Sequence, residues 1–152
     1  MSTNEKGIDL KHIDRQTNRY KRKYPKYKRY ANTLEELLKQ IARKNDIESI
    51  VSTRPKAISS FAEKVVRKGQ KYNDPVNQLT DLCGGRVITQ TQDEVSRYCK
   101  LVEDHFKIDW ENSVGVEDRL KPTEFGYRSV HYIIQLDPDY DYQGKYDIKI
   151  PV

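Results

Sequence analysis

A chain of 152 residues has the length of one ordinary domain, enough to enclose a single core and too short for two. Hydrophobic residues make up 36% and charged ones 34%, so the core must be lean, and a formal charge of +5 with a sequence pI near 9.1 favours anionic partners such as phosphates. No run of 18 apolar residues exists to form a membrane helix, and Cys83 and Cys99 lack the spacing of a zinc site or disulfide framework, so a soluble, cytoplasmic protein with reduced thiols is expected.

Residues 1 to about 18 are polar and mixed in charge, the pattern of a loose arm or the start of a helix, with little order expected. The run from Arg19 to Tyr30, RYKRKYPKYKRY, holds seven basic residues, four tyrosines and no acid, and Pro25 is expected to interrupt any continuous helix there. The sequence therefore divides into a basic, tyrosine-rich arm, residues 1–30, and a domain over 31–152. Asn32 or Thr33 can cap a helix with Leu34, Leu37, Leu38 and Ile41 on one face, ended by Asn45 and Asp46. After an extended link at 47–52, Thr53 is a candidate N-cap and Pro55 a first-turn residue for a second helix reaching about Lys71.

Asn73, Asp74 and Pro75 signal a turn, and LTDLCGGRVIT at 79–89 reads as a buried strand. Thr91 with Glu94 forms a capping-box signature, opening a helix with Val95, Tyr98, Cys99, Val102 and Phe106 inward. Residues 106–110 form a short expected strand, 111–126 a loop, 129–136 (SVHYIIQL) a strand, and 148–152 a last extended piece. Helices and strands in this order predict an α+β (mixed α/β) domain with a mixed sheet.

Three groups of residues have chemical potential. On the second helix, Lys56, Ser60, Lys64, Arg67, Lys68 and Lys71 share one arc of about 120°, opposite Ile58, Phe61, Ala62, Val65 and Val66. Such a row of cations with a hydroxyl suits a triphosphate, as it also suits a plain solvated face. Asp81, inside an apolar run, must be paired, for instance with Arg86, or capped, or bound to a cation such as magnesium. FGYRSVH at 125–131 gathers an aromatic platform, a guanidinium, a hydroxyl and an imidazole ahead of a strand, suited to base stacking and phosphate contact or to ordinary strand-entry packing.

The spacing R-x-K-x-x-x-S-x-x-x-K at Arg54, Lys56, Ser60 and Lys64, followed by DLCGGRVI from Asp81 and GYRSVH from Gly126 to His131, resembles the RelA/SpoT family synthetase domain. The resemblance implies a DNA polymerase beta-type nucleotidyltransferase fold and a small-alarmone-synthetase, GTP pyrophosphokinase activity. In that reaction the ribose 3′-hydroxyl of GTP or GDP takes the diphosphate of ATP, giving (p)ppGpp of the stringent response. It further implies that Arg54, Lys56, Ser60 and Lys64 bind ATP and that Asp81 is catalytic and holds Mg2+. Lys121, Tyr127, Arg128 and His131 would bind the acceptor, with Tyr127 stacked on guanine. Glu124 and Phe125 precede Gly126 where the family usually has Asn, and the basic run at 19–30 suits RNA, so pyrophosphorylation of a tRNA 3′ end is a second reading. The family's second acid, in an E-x-Q-x-R-T-like strand, is expected beyond Val152; the chain then reads as C-terminally truncated, and a noncatalytic nucleotide- or RNA-binding module as a third possibility.

Overall fold

Helix α1, Leu10–Lys44, runs for 35 residues in the computed structural model, which describes residues 9–68, 72, 74–79, 81–115 and 129–150. The Asp9 carboxylate caps it by accepting from His12 N at 3.1 Å. At its far end Asn45 Nδ2 donates to Ile41 O, Asp46 turns left-handed at φ 55°, and Ile47 N reaches back to Ala42 O at 2.9 Å. The stop expected at Asn45 and Asp46 is thus formed.

The expected break at Pro25 is not formed, and α1 continues through residues 30 and 31. Proline removes one backbone hydrogen bond and costs about 3 kcal/mol inside a helix. Here Pro25 and Lys21, whose carbonyl loses its partner, are both exposed. The opposite face carries Tyr20, fully buried, with Tyr24 and Tyr27 packed around it. Fully burying a large side chain contributes about 1.5–3 kcal/mol, and Tyr20 with the partly buried Tyr24 and Tyr27 together offset the lost bond.

The remaining elements are β1 (Ser49–Pro55), α2 (Ile58–Lys68), α3 (Pro75–Gln78), β2 (Cys83–Thr89), α4 (Gln92–His105), β3 (Phe106–Val114), β4 (His131–Leu136) and α5 (Tyr142–Lys145). The mixed α+β composition matches the expectation, but among the described residues the strands form two two-stranded sheets, β1–β2 and β3–β4. Thr53 is no helix cap: it lies in β1 and its hydroxyl donates to Ala31 O at 2.5 Å. Pro55 closes that strand instead of opening α2. The strand expected over 79–89 begins only at Cys83 and is half exposed, since Leu79 and Leu82 enter the core from the connection ahead of it. The capping box holds, with Glu94 N donating to Thr91 Oγ1 at 3.1 Å. β3 is longer than expected and pairs antiparallel with β4 through an irregularity between Asp109 and Val114.

The described residues divide into two compact units, one within 1–34 and 53–85, the other within 35–52 and 86–152. In the first, Tyr20, Phe61, Val65, Val76, Leu79 and Leu82 form the core, with Tyr20 stacked on Phe61 at 4.4 Å between ring centroids. Arg19 pairs with Asp74 at 2.5 Å, tying α1 to the start of α3. In the second, Leu37, Leu38, Ile41, Tyr98, Cys99 and Phe106 are buried, and Tyr98 Oη donates to Leu38 O at 2.8 Å.

His105 closes α4 in the second unit, 6% exposed. Its Nδ1 lies 2.6 Å from Leu101 O, which can only accept, so Nδ1 carries the proton and Nε2 accepts from Tyr146 Oη at 2.6 Å. Burial lowers its pKa, against the opposing pull of the Leu101 carbonyl and Asp104. Acid therefore protonates the unfolded chain first, and this residue's contribution is full above its ordinary value of 6.5 and declines below it. Stability measured by urea unfolding should fall between pH 7.5 and 5.5, and His105→Gln should flatten that slope. In the first unit, Phe61→Ala should lose about 3–5 kcal/mol in the same measurement.

Candidate functional site

The corner between β1 and α2 is held against the segment leading into β2. Lys56 N donates to Leu82 O at 2.8 Å, and buried Leu82 and Phe61 anchor the two sides. Asp81, one residue before Leu82, is thereby turned toward solvent rather than inside a strand, with its side chain 43% exposed. Lys64 stands on α2 just before buried Val65. The result is a shared contact: Lys56 Nζ and Lys64 Nζ each donate to Asp81 Oδ2 at 2.9 Å. Of the partners open at the sequence level, these lysines rather than Arg86 pair with the carboxylate.

Two ammonium groups on one carboxylate leave this corner a net positive charge. Both lysines are mostly covered, at 18% exposure, so their field is less screened than that of free surface lysines. Partial burial pushes the Asp81 carboxyl up, but the hydrogen bonds from Lys56 and Lys64 outweigh it and hold the group below its ordinary value. An anion with several oxygens, such as a phosphate chain, is the ligand class that such a pair accommodates. Among the described residues no three His, Cys, Asp or Glu side chains gather into a metal cluster. A lone hard carboxylate fits magnesium shared with substrate phosphates, which needs only one or two protein carboxylates, and does not fit a resident ion held by protein alone.

Arg54 and Ser60 are both exposed, Arg54 on β1 and Ser60 on α2 one turn before Lys64; no hydrogen bond joins either to Asp81 among the described residues. Lys56 precedes α2 rather than lying on it, so the expected arc of cations begins on a connection. Arg67 and Lys68 end α2, exposed, while Lys71 lies outside the described residues. Of the acceptor residues expected from the sequence, Lys121, Tyr127 and Arg128 lie outside the described residues. His131 belongs to the second unit, where it opens β4, exposed, with Nε2 3.0 Å from Ser129 Oγ. Gly115, at φ 78°, lets β3 end against that entry, since a Cβ there would stand 2.8 Å from Ser129 O. Two open depressions in the second unit, of about 330 Å³ beside Gln40, Lys44 and Lys145 and about 600 Å³ beside Lys39, Asp46 and Glu48, include none of the expected site residues.

Residues 53–150 match the model of the region found in RelA / SpoT proteins, well over half of the chain and inclusive of the end of β1, α2 and Asp81. The chain belongs to the RelA/SpoT family. No curated protein matches it. The matched span of this RelA/SpoT chain begins at Thr53, so the whole of α1 precedes it. The sequence pattern missed the contribution of α1 to the corner, because its tyrosines sit in a run whose charge draws attention first. Among the described residues, no helix of the family member is long and apolar enough to cross a membrane.

A carboxylate whose pKa is depressed stabilises the fold above its unfolded value, 3.8, and that contribution disappears as pH falls through the folded value. By NMR titration, Asp81 should have a midpoint below 3.8, and Lys64→Met should move it upward.

Proposed function

We propose that the chain is a GTP pyrophosphokinase-type synthetase, moving the diphosphate of ATP to the 3′-hydroxyl of GTP or GDP to make (p)ppGpp. The observation that carries this reading is the convergence of Lys56 and Lys64 on Asp81 within the family-matched span. Arg54, Lys56, Ser60 and Lys64 bind the phosphates of ATP in this reading, the ammonium groups exchanging Asp81 for phosphate oxygens. Asp81, so released, is the carboxylate that holds Mg2+ arriving with the nucleotide. When bound, magnesium supplies charge neutralisation on the phosphates. The protein's own part is alignment and electrostatic stabilisation, which phosphoryl-group chemistry mostly demands. Lys121, Tyr127, Arg128 and His131 receive the acceptor, Tyr127 by stacking on its base. The α+β architecture is compatible with a DNA polymerase beta-type nucleotidyltransferase fold, and the reaction belongs in the cytoplasm, where ATP and GTP are abundant.

A second acceptor is favoured by one feature of α1. Lys21, Arg22, Lys26, Lys28 and Arg29 are exposed, outside the stripe that holds the buried Tyr20. A helix face of this charge suits a nucleic-acid backbone, so the 3′ end of tRNA is the alternative acceptor, residues 1–30 serving as the RNA-binding arm of the 31–152 domain.

Full-length protein with magnesium, labelled ATP and either GTP or tRNA separates the acceptors. The leading reading expects AMP release and label in the guanosine nucleotide, and Asp81→Asn should lower kcat by about 100-fold or more. Label in tRNA alone would select the second acceptor. Protein that binds ATP yet labels neither would leave a noncatalytic binding module.

A further inference from the structure

We propose that Tyr20, on helix α1 ahead of the family-matched residues, is a positioning residue for the cationic segment at 53–56; this rests on the reading of Lys56 as an ATP ligand. Tyr20 is fully buried, its ring stacked on Phe61 of α2, and its hydroxyl donates to Lys56 O at 2.5 Å. The same residue, Lys56, is held from its other side by the bond from its N–H to Leu82 O at 2.8 Å. Three residues earlier, the Thr53 hydroxyl donates to Ala31 O at 2.5 Å. Helix α1 therefore grips the chain on both sides of Arg54, once at Thr53 and once at Lys56. The connection from β1 to α2 has no regular structure at Lys56, so without these bonds its backbone can rotate and carry Nζ away from Asp81. Burial raises the Tyr20 pKa to about 12, so the hydroxyl stays protonated and remains a donor throughout the physiological range.

The alternative role for Tyr20 is a purely structural one, as core filling in the first unit. Tyr20→Phe separates the two, because it keeps the ring stack and removes only the donor. In the full chain, Tyr20→Phe should weaken magnesium–ATP binding, measured by calorimetry, by about five- to tenfold, the loss that one buried hydrogen bond supports. In a Lys56→Ala background the same change should have no further effect. Thr53→Val provides an independent second variant and should weaken ATP binding in the same direction while circular dichroism and unfolding midpoint report an intact fold. Lowered affinity in Lys56→Ala with unchanged affinity in Tyr20→Phe would overturn the positioning role alone. Equal losses from Tyr20→Phe in both backgrounds would overturn it in favour of general core support. Unchanged affinity in Lys56→Ala itself would overturn the ATP-site reading, and the positioning role with it.

Discussion

The contact on which the site depends is the sharing of one Asp81 oxygen by two lysines. Opposite charges at 2.9 Å attract, but an ion pair open to water contributes little by itself, commonly about 0–1 kcal/mol. Its importance is therefore positional. The ammonium groups come from two different places in the chain, a connection and a helix, and the carboxylate gathers them at one point. Placing them there requires the core formed by Phe61, Val65 and Leu82, with Tyr20 beneath the corner. A cluster assembled in this way carries net positive charge before any ligand arrives, so anion binding need not await a rearrangement of the backbone.

Much of this was legible in the sequence, for identifiable reasons. Helical periodicity put Phe61 and Val65 on one face of α2 and Lys64 on the other, and capping chemistry located the start of α4 and the end of α1. The pairing of Asp81 with Lys56 and Lys64 was not legible: Arg86 was the partner the sequence offered, and sequence separation alone cannot tell Lys64 from Arg86. The strand at 79–89 was misplaced because a short apolar run looks alike whether it pairs in a sheet or plugs a core from a turn, and Leu79 and Leu82 do the latter.

The largest misreading concerned α1, and there the sequence held a usable signal. Ile13, Tyr20, Tyr24, Tyr27, Ala31, Leu34, Leu38 and Ile41 recur at intervals of three, four and seven, one continuous stripe across the proline. Pro25, weighed as a helix breaker, hid that stripe, and the density of cations made the run at 19–30 read as a basic arm suited to RNA. Tertiary packing decided otherwise, since proline's cost is fixed and small beside the apolar surface that a long helix covers. The consequence reaches the chemistry: the helix that seemed an appendage contacts the backbone of the residue whose ammonium meets Asp81.

The account stands most directly on whether a nucleotide draws both lysines away from the carboxylate. Side-chain NMR of the ammonium groups of Lys56 and Lys64, followed as ATP and magnesium are added to the full-length protein, reads this at the atoms concerned. Both resonances should move together and saturate with the same affinity as calorimetric binding. Saturated ATP binding with both resonances unmoved would place the nucleotide elsewhere and contradict the account.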